Sequence, residues 1–260
     1  MSVLSAPGAR LVIGHRGAAA HAPENTLPSF RLALEQGADA LELDVHLTAD
    51  GIPVVIHDPG TERTTGLPLT VALEPLDRLR ALDAGACFTL DRGHTRPWAG
   101  RGAGIPTLAE VLEAFPDTPL LVEVKVPAAQ DAVLALIRAH GASRRVAVGS
   151  EHHAALAAFR GTEIDVSGSR REIGALWVRS RLGLPAGRPS CAMYSVPERW
   201  RGLRVPTRGF VRRAHAAGAA VHVWTVDDRQ RAMALWASGV DGIVTNDPAA
   251  IVRAREDCAA

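Results

Sequence analysis

Short β-like runs alternate with helical segments along almost the whole chain, and this alternation restricts the fold more than any other feature. Strands separated by helices pair in parallel, so eight of them in 260 residues predict an α/β fold, the (β/α)8 or TIM barrel. An open doubly wound sheet is the alternative. The runs read as strands are Leu11 to His15, Ala40 to Asp44, Leu120 to Lys125, Arg145 to Ser150, Glu163 to Ser167, Ser190 to Ser195, Ala220 to Thr225 and Gly242 to Thr245.

Capping residues mark where several of the intervening helices begin. We expect Asn25, Thr207 and Asp227 to cap helices that end near glycines, and Asp247 to cap the last helix, with Pro248 at its first position. Thr107-Leu-Ala-Glu110 reads as a capping box.

Composition excludes several classes of protein. With 47% hydrophobic residues, the chain can form a full-size core, and we expect one domain spanning residues 1–260. The formal net charge of +1 gives no reason to expect electrostatic capture of a nucleic acid or of an anionic membrane, and no apolar run approaches the length of a membrane span. Three scattered cysteines, with no signal peptide apparent, favour a soluble cytoplasmic protein without a disulfide framework or structural zinc.

The segment Ala40 to His57 departs from the alternation, because two β-like runs are separated only by a turn. If Asp50-Gly51 forms a two-residue type I′ turn, Asp44 faces His57 across the hairpin, and Glu42 shares their face. The hairpin then returns His57 to the carboxyl-terminal rim, where barrel enzymes keep their active sites. His46, one step up the hairpin, is expected to be exposed.

About sixty residues separate His57 from the next barrel strand, far more than an ordinary loop needs. We read residues 58–106 as an insertion within the barrel domain, and the stretch Ala84 to Gly104 as an ordered lid.

Candidate chemical groups cluster at the ends of the predicted strands. Gly14-His15-Arg16-Gly17 places a histidine and an arginine where glycines allow the backbone to approach a ligand, although a solvated turn accounts for them equally well. Glu42, Asp44 and Glu123 are carboxylates in otherwise apolar runs. A divalent cation, Mg2+ or Ca2+, would offset their burial, and buried salt bridges to arginine are the alternative.

Lys125 is the single lysine among 29 basic residues, and it lies two residues after Glu123 on the same predicted strand. Both side chains therefore point the same way. An ammonium group beside a metal ligand suits an anionic oxygen such as that of a phosphate.

Together these motifs resemble, in order and spacing, the glycerophosphodiester phosphodiesterase family. The resemblance covers about Val12 to Pro248 and rests on His15-Arg16-Gly17, Pro23-Glu24-Asn25-Thr26, Glu42-Leu-Asp44, Asp50-Gly51, His57-Asp58, Glu123-Val-Lys125 and Val223-Trp224-Thr225-Val226. It implies a barrel enzyme of lipid and glycerol metabolism, a phosphoric diester hydrolase, that cleaves small glycerophosphodiesters into an alcohol and glycerol 3-phosphate.

The resemblance also implies roles for individual residues. His15 and His57 would be the general acid and base, and Glu42, Asp44 and Glu123 would hold one divalent cation, with Mn2+ a further candidate. Arg16 and Lys125 would bind the phosphate. The amide of Asn25 would turn toward the site if it does not cap a helix, and Trp224 would line the glycerol pocket if it is not simply packed in the barrel.

Two departures leave the alcohol open. Ser150-Glu151-His152 stands where many relatives carry Ser-Phe-Asp, and the sixth strand region, Asp165 to Ser169, is polar. A lysophospholipase D and a catalytically silent phosphate-binding barrel are the alternative functions. A lipid substrate predicts an exposed apolar patch around Cys87, Phe88 and Trp98.

Overall fold

The strands confirm the predicted barrel. The computed structural model describes residues 2–187 and 191–257, and within them the strands are β1 (Leu11–His15), β2 (Ala40–Leu47), β3 (Pro53–Val55), β4 (Leu120–Val124), β5 (Val146–Gly149), β6 (Asp165–Val166), β7 (Met193–Pro197), β8 (Arg199–Trp200), β9 (Leu203–Arg204), β10 (Ala220–Trp224) and β11 (Gly242–Thr245). Eight of them pair in parallel in the order β6-β5-β4-β2-β1-β11-β10-β7, and a bridge between Ser167 and Met193 joins the two ends. The barrel is therefore nearly closed.

The predicted strands agree with the observed ones to within three residues at each end. β1 and β11 have the predicted bounds, and β2 continues beyond Asp44 to Leu47. The first residue of the predicted Ser190 to Ser195 run lies outside the described residues, and the observed strand begins at Met193.

Helices follow most barrel strands and cover the outside of the sheet. They are α1 (Leu27–Glu35), α2 (Glu62–Thr65), α3 (Leu76–Arg80), α4 (Leu108–Ala114), α5 (Gln130–Ala139), α6 (Arg170–Arg181), α7 (Arg208–Ala216), α8 (Arg229–Ala237) and α9 (Pro248–Asp257), with 3-10 turns at Val3–Ser5, Val71–Leu73, Pro127–Ala129 and His153–Phe159. No helix in the described ranges has the length and hydropathy needed to cross a membrane.

Three of the predicted caps are confirmed. The Thr207 hydroxyl accepts the Phe210 amide hydrogen at the start of α7, and Thr107 and Glu110 form the capping box of α4. The Asp247 carboxylate accepts the Ala250 amide hydrogen at 3.0 Å, at the start of α9. These bonds satisfy amides that a helix leaves without partners in its first turn.

Two predicted caps are wrong by one residue. Thr26, not Asn25, accepts the Ser29 amide hydrogen at the start of α1, and Asp228, not Asp227, accepts the Arg231 amide hydrogen at the start of α8. In each case a second capping residue stands immediately after the predicted one. The displaced Asn25 and Asp227 both bond instead to residues at the carboxyl ends of barrel strands.

The barrel interior is mainly apolar, with the buried His222 bonded to the Leu4 carbonyl, and it is plugged at its amino-terminal end. Ile13, Leu121, Met193 and Val244 pack inside it against Leu4 of the first 3-10 turn. That turn is fixed by the Asp165 carboxylate at the start of β6, which accepts the Ser2 amide and Ser5 hydroxyl hydrogens at 2.6 Å each. Larger apolar clusters lie between the sheet and the helices. The carboxyl-terminal end of the barrel carries the cluster of charged groups described below.

The hairpin register differs by one residue from the predicted one. Val45 pairs with Val55 and His46 with Val54, so Ile56, not His57, lies opposite Asp44 and donates its amide hydrogen to the Asp44 carbonyl at 3.0 Å. The cause is the loop: the Thr48 amide bonds to the Ile52 carbonyl, which leaves three residues between them, the last being Gly51 at φ +80°. A three-residue loop ending in a left-handed residue replaces the two-residue turn.

The segment between β3 and β4 packs on its own small apolar cluster. Val54 and Ile56 lead into it, and Val71, Leu79 and Ile105 pack against them. Around the position proposed for an exposed apolar patch, Cys87, Phe88 and Trp98 are each half-buried, whereas Leu67 and Leu90 of the same segment are exposed.

Candidate active site

The first site residues lie in the turn after β1. His15 ends the strand, and Arg16 adopts φ +53°. Gly17 has φ +91°, and a Cβ at that position would lie 2.6 Å from the Ser29 carbonyl carbon. Only glycine fits there, so the close contact between this turn and α1 fixes the direction in which His15 and Arg16 point.

Three carboxylates converge at the rim. Glu42 and Asp44 extend from β2 and Glu123 from β4, where Asp44 and Glu123 occupy paired positions. One oxygen from each lies within 4.8 Å of the others, and Glu42 and Asp44 are buried. The sequence thus correctly brings these three residues together. The alternative of ion pairs to arginine holds only in part, as the contacts of Asp44 show.

Two cations contact this cluster. Lys125 Nζ lies 3.1 Å from Asp44 Oδ1 and 3.2 Å from Glu123 Oε1, and Arg16 Nε lies 3.1 Å from Asp44 Oδ2. The Arg16 amide also donates to Glu42 Oε2 at 3.0 Å. Arg16 and Lys125 therefore stand on either side of the buried Asp44 carboxylate.

The carboxylates differ in how easily each one ionises. Burial, together with Asp44 and Glu123, raises the pKa of Glu42 well above its ordinary value. Burial also raises the pKa of Glu123, against the opposing effect of Lys125. Burial alone would raise the pKa of Asp44, but Lys125 and Arg16 hold it below its ordinary value. The cations thus compensate Asp44, whereas Glu42 is left as a buried carboxylate among like charges.

Asn25 faces the site, as the resemblance implied. It is buried, adopts φ +57°, donates from Nδ2 to Asp44 Oδ2 at 2.9 Å and accepts the Asp44 amide hydrogen at 3.3 Å. Its side chain is therefore bonded to a neighbouring carboxylate and to its backbone, and it holds Asp44 in place.

A chain of hydrogen bonds orients His15. Asn246 Nδ2 donates to Asp227 Oδ2 at 2.8 Å, and the Asn246 amide donates to Asp227 Oδ1 at 2.7 Å. Because Nδ2 is committed to a carboxylate, Asn246 Oδ1, 2.7 Å from His15 Nδ1, must accept a hydrogen from that ring nitrogen. The proton of neutral His15 thus resides on Nδ1. Nε2, 4.0 Å from Glu42 Oε2, carries the lone pair toward the carboxylates.

His57 is held by a second set of charged groups. Its Nδ1 lies 2.6 Å from Asp58 Oδ1, and Asp58 Oδ2 accepts from Arg63 Nε at 2.5 Å. Arg63, on α2, also bonds both oxygens of Glu24, at 2.6 and 2.7 Å, and Glu24 in turn accepts from Arg16 Nη1 at 2.8 Å. The segment after β3 is thereby joined to the turn after β1, and each histidine has an anchored ring.

His46 contacts the backbone of His57. The prediction that His46 is exposed is wrong. Its side chain is buried, and its Nε2 lies 3.1 Å from the His57 carbonyl. His46 shares the Asp44 face of β2 and pairs with Val54, which is fully buried.

Comparisons with known proteins agree with this geometry. The family model for the glycerophosphoryl diester phosphodiesterase family matches residues 15–250. The chain belongs to this family. A glycerophosphodiester phosphodiesterase of Caldanaerobacter subterraneus subsp. tengcongensis is 31% identical over 249 residues, which cover 93% of this chain and 96% of that protein. This phosphodiesterase is therefore a hydrolase of phosphodiesters.

Two further relatives are informative about the ligand. The structure of an Oleispira antarctica phosphodiesterase in complex with the product sn-glycerol-3-phosphate has a TM-score of 0.79 and 27% identity, covering 98% of this chain and all of that one. Lysophospholipase D GDPD1 of Homo sapiens is 38% identical over 121 residues, which cover 44% of this chain and 36% of that protein. The phosphodiesterase thus resembles one protein over its whole length and the other over less than half.

Trp224 ends β10 at the same rim of the phosphodiesterase. It is half-buried and packs against the interior cluster of the barrel. This position serves barrel packing, and it also leaves part of the indole at the open end, so the role of Trp224 in lining a pocket stays a prediction.

The sequence analysis did not identify Asn246, Asp227 and Arg63 as residues of the site. Asn246 directly follows β11, and a polar residue at the carboxyl end of a barrel strand is typical of a catalytic neighbourhood, so this signal was present. Arg63 gave no signal, because it is one of many arginines and its partners come from distant segments.

Proposed function

We propose that the phosphodiesterase hydrolyses small glycerophosphodiesters to an alcohol and glycerol 3-phosphate at this rim, with one divalent cation and with His15 and His57 moving the protons. The observation that carries the proposal is the convergence of three carboxylates, two cations and two anchored histidines within one end of the barrel. A catalytically silent barrel would have no need of all of them.

The donor set suits a hard divalent cation. Glu42, Asp44 and Glu123 offer only oxygen ligands, which Mg2+, Mn2+ and Ca2+ accept. Burial, together with Asp44 and Glu123, raises the pKa of Glu42, and a cation bound beside it would favour its ionised form. When bound, the cation would neutralise these carboxylates and stabilise negative charge on the phosphoryl oxygens.

Arg16 and Lys125 are proposed to bind the phosphate. Both approach Asp44 from the open end, and each has hydrogens beyond those used by the carboxylates. Their placement beside the carboxylates would hold the phosphoryl group against the cation site, with positive charge ready for the oxygens that gain charge.

We propose His15 as the base and His57 as the acid. Burial and the neighbouring Arg16 lower the pKa of His15, so the ring is neutral near pH 7 and its Nε2 can accept a proton. The Nδ1 of His57 lies against the Asp58 carboxylate, so Nε2 is the nitrogen that can protonate the leaving alcohol. Two histidines on different loops allow the proton to be taken and given at different oxygens.

The decisive test is hydrolysis of glycerophosphocholine by chelator-treated protein. We expect no turnover until Mg2+, Mn2+ or Ca2+ is added, with glycerol 3-phosphate and choline as the products. Full activity of protein shown by elemental analysis to be metal-free would contradict the metal role.

A matched pair of variants separates the site from general effects. Glu123→Gln keeps a carbonyl oxygen but removes a charge, so it should need a higher metal concentration for half-maximal rate. Glu163→Gln, an exposed carboxylate bonded to Arg138, should not.

Lysophosphatidylcholine forms the second arm of the assay. The partial match to a lysophospholipase D favours testing it, and turnover of this lipid in preference to glycerophosphocholine would replace the proposed substrate class while leaving the site roles intact.

A further inference from the structure

A small hairpin stands at the active-site rim apart from the barrel sheet. β8 and β9 pair only with each other in the described sheets, through Arg199 with Arg204 and Trp200 with Leu203. Arg201 and Gly202 form the turn with φ +49° and +81°, as a two-residue type I′ turn requires. All six residues from 199 to 204 are exposed.

The hairpin is rooted beside the open end of the barrel. It begins two residues after the end of β7, and the Glu198 amide donates to the Trp224 carbonyl at 3.3 Å. The Val205 amide closes its base on the Glu198 carbonyl at 3.2 Å, and Trp177 of α6 donates to the Arg204 carbonyl at 3.0 Å. The hairpin is therefore held in a fixed position next to the carboxyl ends of β7 and β10.

Its two faces differ in chemistry. Because side chains alternate along a strand, Trp200 and Leu203 share one face, and Arg199 and Arg204 share the other. Trp200 is 54% exposed and Leu203 47% exposed. The guanidinium of Arg201 lies 4.9 Å from the centroid of the Trp200 ring. An exposed tryptophan and leucine with an arginine beside them is an arrangement that suits a lipid headgroup boundary.

The positive charge of the hairpin favours an anionic partner. Residues 199–204 include three arginines and no acidic residue, a net charge of +3, and the adjacent Glu198 is paired with Arg231 at 2.9 Å. A second copy of the chain would bring like charges together at a two-fold contact, which disfavours self-association. An anionic lipid surface complements both the charge and the apolar face.

We propose that the β8–β9 hairpin docks the phosphodiesterase onto anionic phospholipid bilayers, with Trp200 and Leu203 entering the headgroup region, Arg201 beside them contacting lipid phosphates, and the positive charge of Arg199 and Arg204 adding to the attraction. The open end of the barrel then lies next to the lipid surface, where diesters released from or carried by the membrane are concentrated. Docking does not depend on the metal or proton-transfer roles proposed above.

Vesicle sedimentation tests the proposal on the full-length protein. We expect binding to phosphatidylcholine vesicles that contain phosphatidylglycerol, little binding to phosphatidylcholine alone, and weakening by salt. Trp200→Ala with Leu203→Ser should reduce the partition coefficient at least about tenfold. Each of Arg199→Gln, Arg201→Gln and Arg204→Gln should reduce it about fivefold.

A control variant and two control measurements separate docking from other effects of the substitutions. Leu182→Ser removes a leucine that is 67% exposed, more than Leu203, from the end of α6 and should leave vesicle binding unchanged. Hydrolysis of soluble glycerophosphocholine and the thermal midpoint should be the same in the Trp200→Ala, Leu203→Ser variant as in the parent. This separates lost docking from lost catalysis or misfolding.

Three results would overturn the proposal. The first is absence of binding to anionic vesicles by the parent protein, and the second is binding that the hairpin substitutions do not reduce. The third is a concentration-dependent dimer, seen by sedimentation velocity, that Trp200→Ala abolishes while vesicle binding persists. That result would assign the hairpin to self-association.

Discussion

Replacing Glu42 by glutamine should have opposite effects on stability with and without metal. In chelator, the parent protein keeps a buried carboxylate whose pKa is raised by burial and by Asp44 and Glu123. Glutamine preserves its shape and can still accept the Arg16 amide hydrogen. With metal present, the same change removes one of three anionic ligands.

The expected change in stability follows from the spacing of the carboxylate oxygens. Two unit charges 4.8 Å apart repel by about 3.5 kcal/mol at an effective dielectric constant near 20. Arg16 and partial protonation of Glu42 offset much of this, so we expect Glu42→Gln to gain about 1–2 kcal/mol in chelator. For a chain of this size that raises the melting temperature by about 2–8 °C.

Bound metal should reverse the order of the melting temperatures of the parent protein and Glu42→Gln. At about 100 times its dissociation constant, a ligand that binds only the folded state adds about 2.7 kcal/mol, or about 5–11 °C, to the parent protein. Metal should stabilise the Glu42→Gln variant much less than the parent protein. Calorimetric scans of both proteins in chelator and in saturating Ca2+, Mg2+ or Mn2+ measure this crossing, and Glu163→Gln serves as the surface control. A variant that melts below the parent in chelator, or that gains as much from metal as the parent does, would refute the electrostatic account.

Three other substitutions test separate parts of the site. Lys125→Arg should lower kcat/KM about 10²-fold with little change in melting temperature, because the wider guanidinium cannot replace an ammonium set between Asp44 and Glu123. Unchanged turnover of this variant would exclude a specific role of Lys125 in phosphate binding. Asn246→Ala should lower kcat about 10²-fold with KM nearly constant, since only the orientation of the His15 base is lost, and a change confined to KM would argue against that role. Arg63→Ala should destabilise the protein at neutral pH but not in acid. Despite its burial, Glu24 has a lowered pKa because of Arg63 and Arg16, so its contribution is present above the ordinary value of 4.5 and is lost as the pH falls through the folded-state pKa. Melting-temperature differences that stay constant across the acid range would contradict this.

The barrel could be predicted because its signal is strong and local. The bounds of β1 and β11 are read directly from apolar β-branched residues flanked by glycine and polar residues. The convergence of Glu42, Asp44 and Glu123 followed from the same strands, because carboxylates in apolar runs of neighbouring strands are carried to the same end of the barrel.

What could not be predicted depends on choices between neighbouring residues. Asn25 or Thr26, and Asp227 or Asp228, can each cap a helix, and only the packed structure decides which one is free to bond elsewhere. The hairpin register likewise depends on whether the turn has two or three residues, a choice that the Asp50-Gly51 pair alone does not settle. The ion pairs of Arg63 join segments far apart in sequence and leave no local pattern.

The attachment of α2 to the rim has a consequence for how this enzyme can diversify. Arg63 fastens the start of the inserted segment to Glu24 and Asp58. The part from Gly66 to Gly104 is attached separately: the Leu76 amide donates to Asp50 at 3.1 Å, and Trp98 Nε1 donates to the His21 carbonyl at 3.3 Å. Evolution, or a protein engineer, can therefore vary that outer part where these two contacts and the packing on Val54 and Ile56 are kept. The hydrogen bonds that anchor His57 come from Asp58 and Arg63, outside the varied part.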